Sequence, residues 1–171
     1  MHTMTNSEQK IQELIQHFSN TLPHFPDGRI DYTNAHTAPV LTIFVSYEKK
    51  ILLLKRSQHV HTYKGKWNTI AGYIDEPRPL KEKIQAELNE EIGLKPSDIL
   101  SYHLGDSFSF TDENLQITWL VHPVIIQLKN PVKIILDWEH TEYTWIDPKD
   151  ITTYDLVPNA QNSLNAVLAY L

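Results

Sequence analysis

Between Gly72 and Leu94 the chain reads GYIDEPRPLKEKIQAELNEEIGL, a stretch that can fold in few ways. Pro77 and Pro79 stiffen its first third, and Pro79 suits the opening position of a helix. Leu80, Ile84, Leu88 and Ile92 recur every four residues and make one apolar stripe. Gly93 follows where a helix commonly ends in a left-handed residue. The spacing predicts a helix over Leu80–Glu91 with one side buried. Glu87, Glu90 and Glu91 then share a side of that helix, as like charges that repel by about 0.2–0.5 kcal/mol per pair. Glu91 falls inside the edge of the apolar stripe, Glu87 beside it and Glu90 further out, while Glu82 lies on the opposite face. Two readings stay open. The trio is a solvated acidic face with Lys83 paired to Glu87 one turn on, or it holds a divalent cation through oxygen ligands.

The chain has 171 residues, which predicts one domain with a substantial core. The formal net charge is −6 and there is no long basic run, so stable nucleic-acid binding is not expected. Anionic substrates stay open, because a bound cation inverts the local field. The absence of cysteine excludes a disulfide framework, a thiolate nucleophile and a zinc–thiolate site. No apolar run is long enough for a membrane span, and the N-terminus lacks the layout of a secretion signal. A cytoplasmic protein without membrane contact is the expectation.

Along the chain, Ile11, Leu14, Ile15 and Phe18 predict a helix over Ser7–Leu22, with Ser7 as its cap. This helix is a candidate dimerisation surface or an add-on that packs on the main domain. Pro23–Pro39 reads as a covering loop. Val40–Tyr47 and Ile51–Leu54 read as a hairpin joined by Glu48–Lys50. Ser57–Lys66 reads as a loop and Trp67–Ile74 as one short strand. Beyond the central helix, Ile99–Leu104, Ser107–Phe110 and Gln116–Gln127 predict strands, with a turn at Thr111–Asn114. Pro123 implies that the centre of the long strand is an edge or a bulge. Glu142–Ile146 adds a strand and Pro158–Tyr170 a closing helix. The pattern predicts an α/β sandwich with a mixed sheet between helices. Its expected division is an N-terminal helix and linker over residues 1–37, packed on the core, and a main domain over 38–171.

The Gly72–Leu94 segment resembles the Nudix box of the Nudix hydrolases: G, five residues, E, seven residues, then R-E-U-x-E-E-x-G-U with U aliphatic. Gly72, Glu87, Leu88, Glu90, Glu91, Gly93 and Leu94 match without a gap. The flanks agree: Lys64-Gly65-Lys66-Trp67 before the box, Leu52–Arg56 upstream, and Asp137–Trp145 in the style of a late E-H-x-E-Y-x-W stretch. Two positions depart. Arg78 stands where the box has Glu, and Ala86 where it has Arg. Family members typically pair those two, so both partners of one contact have changed together. Arg78 is then expected to reach Glu82 or to lean toward Glu87.

The resemblance implies a Nudix-type α/β/α sandwich with an N-terminal helical extension. It also implies a Mg²⁺-dependent hydrolase, with Mn²⁺ as a substitute. Glu87, Glu90 and Glu91 would hold the metal, joined by the carbonyl of Ala71. The substrate would be a small-molecule nucleotide, a nucleoside diphosphate linked to another group. Glu87 is the first candidate for general base. Glu142 and Glu139 are candidates outside the box, with Glu142 favoured because alternation from Trp138 onward would aim it at the site. For phosphate contacts the candidates are Arg56, Lys55 and Lys66, with Arg56 favoured for its planar fork. Tyr73, Phe108, Phe110 and Trp119 are candidates to stack on a base, Tyr73 and Phe110 foremost. His59 and His61 read as surface residues, and His122 and His140 as structural. The rival is a nucleotide-binding module with little turnover, supported by Arg78 and Ala86.

Overall fold

The computed structural model of the chain describes residues 4–171; the first three residues of the expected N-terminal unit lie outside the described residues. Helix α1 (Asn6–Thr21) is capped by Thr5 rather than Ser7. Thr5 Oγ1 accepts the Glu8 N–H at 3.2 Å, and the Glu8 carboxylate accepts the Thr5 N–H at 2.8 Å. This reciprocal pair satisfies two donors that the first turn leaves over, so it outcompetes a cap two residues later. Ile11 and Ile15 fix the helix on the core beside Ile30, Tyr32 and Ile74.

Strands β1 (Thr37–Tyr47) and β2 (Lys50–Arg56) form the expected hairpin. Tyr47 pairs with Lys50, and Glu48 and Lys49 both take positive φ, +48° and +63°. That two-residue turn matches the twist of its strands. The strand expected over Trp67–Ile74 is two pieces, β3 (Trp67–Asn68) on β2 and β4 (Ile70–Tyr73) on β1. Thr69 interrupts them; its hydroxyl donates to the Ile43 carbonyl. Thus β1 pairs with β4 over Val40–Ile43 and with β2 only at Ser46 and Tyr47, and the sheet opens between these contacts.

Helix α2 (Leu80–Ile92) buries Leu80, Ile84, Leu88 and Ile92 as the spacing predicts and ends on Gly93 at φ +72°. Each such side chain contributes about 1.5–3 kcal/mol when fully removed from water. Strands β5 (Ile99–Leu104), β6 (Phe108–Asp112), β7 (Ile117–Leu128) and β8 (His140–Ile146) complete the sheet. β6 runs two residues further than expected, and the turn shifts to Glu113–Gln116, where Asp112 Oδ1 accepts the N–H groups of Asn114 and Leu115.

β7 is an interior strand, which corrects the expectation from Pro123. It pairs in parallel with β1 on one side; on the other it pairs with β6 up to Val121 and with β5 from Val124. Pro123 stands at the break between β6 and β5. Its carbonyl accepts the Gly105 N–H at 2.9 Å on that side. The N–H and C=O of one strand residue point the same way, so the missing N–H faces the break and no ladder bond is lost.

One sheet face, with Leu41, Ile43, Val45, Leu52 and Leu54, packs in the cluster that holds α1 and α2. Phe44, Ile51, Leu53 and Ile125 face α3 (Ala160–Val167), which buries Leu164 and Val167. The result is the mixed sheet between helices that the sequence predicts, with α1 in place. The closing helix is shorter than expected and finishes as a 3₁₀ turn over Leu168–Tyr170.

Candidate active site

A cleft of about 410 Å³ opens where the sheet divides. The strand registers place Val40 and Thr42 of β1, Ala71 and Tyr73 of β4, and Trp119 and Val121 of β7 on one face, and all six line it. Phe110 joins them from β6, opposite Trp119. This end is aromatic. Tyr73 lies 5.8 Å from Trp119 between ring centres and stacks on Tyr32 at 5.5 Å. Among the described residues the buried indole Nε1 of Trp119 makes no aligned hydrogen bond, although the Tyr63 hydroxyl is near it, and buried Thr42 Oγ1 makes none.

The other end is acidic. Glu87, Glu90 and Glu91 of α2 line the cleft with Ala71, Gly72, Arg56 and Glu139. Glu90 is exposed, whereas Glu87 and Glu91 are 8% and 3% exposed. Gly72 makes room for this approach. A Cβ there would meet the Glu87 carboxyl carbon at 2.5 Å.

Glu87 is not alone. Lys83 Nζ lies 2.7 Å from Glu87 Oε1 and 3.0 Å from Asp75 Oδ1, with all three side chains nearly closed to solvent. Arg29 adds a second cation 3.6 Å from Asp75. Burial pulls the Lys83 ammonium down, but Glu87 and Asp75 more than offset it, and the group stays charged. Glu91 has no Lys or Arg at ion-pair distance among the described residues. Its Oε2 has no hydrogen bond among the described residues, and His140 Nε2 stands 3.9 Å away. Burial raises the Glu91 pKa well above the usual carboxylate range, and Glu87, Glu139 and Asp137 raise it further. Burial also lowers the pKa of His140, so the imidazole is held neutral despite the Asp137 carboxylate 3.2 Å from Nδ1.

A buried carboxylate oxygen without a partner, among other anions, is the chemistry that an oxygen-preferring divalent ion satisfies. The donor set therefore fits a metal, although no three of the described acidic and histidine side chains converge on one point as they stand. Lys83 is already on one of the carboxylates.

Arg56 is half-buried and faces Glu139 and Glu91, while its Nε donates to the Thr62 carbonyl at 3.0 Å. Glu139 is half-buried; burial raises its pKa, Asp137 adds to this, and Arg56 opposes it. Glu142 and Lys55 stand elsewhere. They pair with each other at 2.8 Å, opposite one another on the sheet, and neither lines the cleft. The alternation expected from Trp138 fails at a bulge. Arg56 lies opposite His140 and Lys55 opposite Glu142, so Thr141 is an extra residue and reverses the faces. Lys66 is tied to Asp155 at 2.6 Å. Arg78 reaches neither Glu82 nor Glu87; its Nε lies 3.3 Å from Glu76, too poorly aligned for a hydrogen bond.

Sequence reasoning passed over Asp75 and gave Lys83 only one of its two partners. Eight residues of turn and helix separate the two, and only the fold of Pro77–Pro79 brings them together. Trp138 and the Val60–Tyr63 stretch also line the cleft; their signal in the sequence was weak because they lie in loops.

The pattern of the NUDIX domain matches residues 35–168. The chain belongs to the Nudix family. It is thus a hydrolase acting on pyrophosphate bonds of nucleoside diphosphate derivatives, and Nudix proteins generally use divalent metal ions. The nucleoside triphosphatase NudI of Salmonella paratyphi B is 23% identical over 110 residues, 61% of this chain and 78% of that relative. Among solved Nudix folds, the MutT protein of Methanosarcina mazei aligns at TM-score 0.65 and 20% identity, over 80% of this chain and 96% of its own. An Ap4A hydrolase of C. elegans aligns at TM-score 0.61 and 18% identity, over 80% and 97%. No helix among the described residues is long and apolar enough to cross a membrane.

Proposed function

We propose that the chain is a Mg²⁺-dependent pyrophosphohydrolase that opens the diphosphate of a nucleoside diphosphate linked to a second group. The observation that carries this reading is the partnerless, buried Glu91 oxygen beside Glu87, at the acidic end of a cleft whose other end is aromatic. The two ends suit the two halves of one substrate, phosphates and base.

Glu87, Glu90 and Glu91 would hold the metal, with the Ala71 carbonyl as a further oxygen donor. When bound, the ion supplies charge neutralisation at the phosphoryl oxygens and lowers the pKa of water. Arg56 has Nε committed to Thr62, which sets the plane of the guanidinium and leaves its terminal nitrogens for phosphoryl oxygens. Glu139 replaces Glu142 as the base outside the box. It lines the cleft, and its raised pKa makes it a better proton acceptor than an ordinary carboxylate. Tyr73 and Phe110 would flank the base, and Trp119 would turn its buried N–H from the nearby Tyr63 hydroxyl to an acceptor on the base edge. The relatives named for nucleoside triphosphates and Ap4A both act on phosphoanhydrides attached to nucleosides.

The test is phosphate and pyrophosphate release from a panel of nucleoside triphosphates, dinucleoside polyphosphates and nucleotide sugars, with and without Mg²⁺. Metal-dependent release is expected from at least one class. It should fall by more than about a hundredfold in Glu91→Gln, the scale of several kcal/mol of lost transition-state stabilisation. Release that ignores both Mg²⁺ and this substitution would defeat the assignment.

A further inference from the structure

Lys83 is a cation built into an acidic cluster. Its ammonium bridges Glu87 of α2 at 2.7 Å and Asp75 of the preceding turn at 3.0 Å, with the side chain 9% exposed. Two anions share one cation, so the ammonium can give up either bond and stay paired. Asp75 also has Arg29 at 3.6 Å behind it, which keeps its charge compensated in either case. Leaving a buried charge without any partner is what would be costly, and this arrangement avoids it.

We propose that Lys83 is a positioning residue that competes with the divalent ion for Glu87, and that Asp75 is where its ammonium withdraws when the ion binds. The inference rests on the reading above, that Glu87 and Glu91 hold the metal. In the metal-free protein Lys83 neutralises Glu87 and fastens the turn to the helix. On metal binding Glu87 releases the ammonium, Asp75 keeps it, and the turn stays fastened. Asp75 therefore acts on metal affinity only through Lys83.

That dependence makes the signs specific. Without Lys83, Glu87 has no internal competitor, and the ion binds more tightly. Without the Asp75 charge, Lys83 has nowhere to withdraw, and the ion binds more weakly. A scaffold role alone would weaken binding in both cases. Charges acting independently through space would give effects that add.

The experiment is calorimetric titration of Mn²⁺ alone, without nucleotide, into the wild-type protein, Lys83→Met, Asp75→Asn and the double variant. Expected are binding about tenfold tighter in Lys83→Met and about fivefold weaker in Asp75→Asn, within the usual range of coupling between linked groups. The double variant should match Lys83→Met, because the effect of Asp75 vanishes once its agent is gone. Weaker binding in Lys83→Met overturns the proposal, as does an Asp75→Asn defect that persists in the double variant. Should Lys83→Met fail to fold, Asp75→Asn decides alone: unchanged or tighter Mn²⁺ binding overturns the proposal. Wild-type binding that is abolished by Glu91→Gln, together with the wrong sign in Lys83→Met, faults this inference only. No Mn²⁺ binding in any of the proteins overturns the metal reading, and the inference with it.

Discussion

The Glu87 carboxylate occupies the space that a side chain on Gly72 would need, 2.5 Å from where its Cβ would stand. Strand end and helix face thus meet through a position where a methyl group would have to displace the Glu87 carboxylate. Gly72 has an ordinary backbone angle, so its requirement is room and not conformation. Gly72→Ala is expected to push Glu87 off its place and lower kcat at least tenfold. Its stability cost should be about 1–3 kcal/mol, as for other overpacked sites. Steady-state kinetics with a urea titration separate the two effects.

Glu139 and Glu142 lie three residues apart but on different sides of a bulge. Glu139→Gln should reduce kcat by about a hundredfold, in the range for a lost general base. Glu142→Gln removes only an ion pair with Lys55 on an exposed stretch and should stay within about twofold of the wild type. The reverse order would return the role to Glu142.

Trp119→Phe retains a ring beside Tyr73 and deletes the indole N–H. KM for the preferred nucleotide should rise about tenfold, with kcat within about threefold, since one lost hydrogen bond to ligand is a binding effect. Equal KM values for the two proteins, across several bases, would show that the indole reads nothing.

Burial lowers the pKa of His122 from 6.5 to about 4, with its Nδ1 2.7 Å from Ser107 Oγ. The unfolded chain takes up a proton near pH 6.5 that the folded chain refuses until about pH 4. This contribution to stability is complete above pH 6.5 and is lost as the pH falls toward 4. Between pH 7 and pH 5 the loss should be about 2 kcal/mol from this residue. Urea unfolding at both pH values should show that difference shrinking in His122→Gln. An unchanged difference would place the acid sensitivity elsewhere.

Sequence periodicity reached far in the local elements. The apolar stripe of α2, its stop at Gly93 and the β1–β2 hairpin all follow from spacing and turn chemistry, and the acidic trio lands on the helix where the wheel places it. What escaped depends on partners distant in the chain. Pro123 looks like an edge residue until the break between β6 and β5 is seen beside it. Glu142 obeys alternation until Thr141 adds a residue. Asp75 and Lys83 meet only because a proline-stiffened turn folds back. Thr5 displaced Ser7 because a cap with a returning Glu8 satisfies two donors instead of one.

The parallel pairing of β1 with β7 has a consequence for biogenesis. Ser46 bonds to the Ile126 carbonyl across 80 residues of chain, and the same register sets Val40 beside Val121 and Ala38 beside Trp119. A nascent polypeptide can close its first hairpin early, but it has no substrate groove until synthesis has passed Leu128. Contacts of such long range are slow to form. Catalytic competence should therefore emerge late and together with the tertiary structure, never from the first half of the molecule alone.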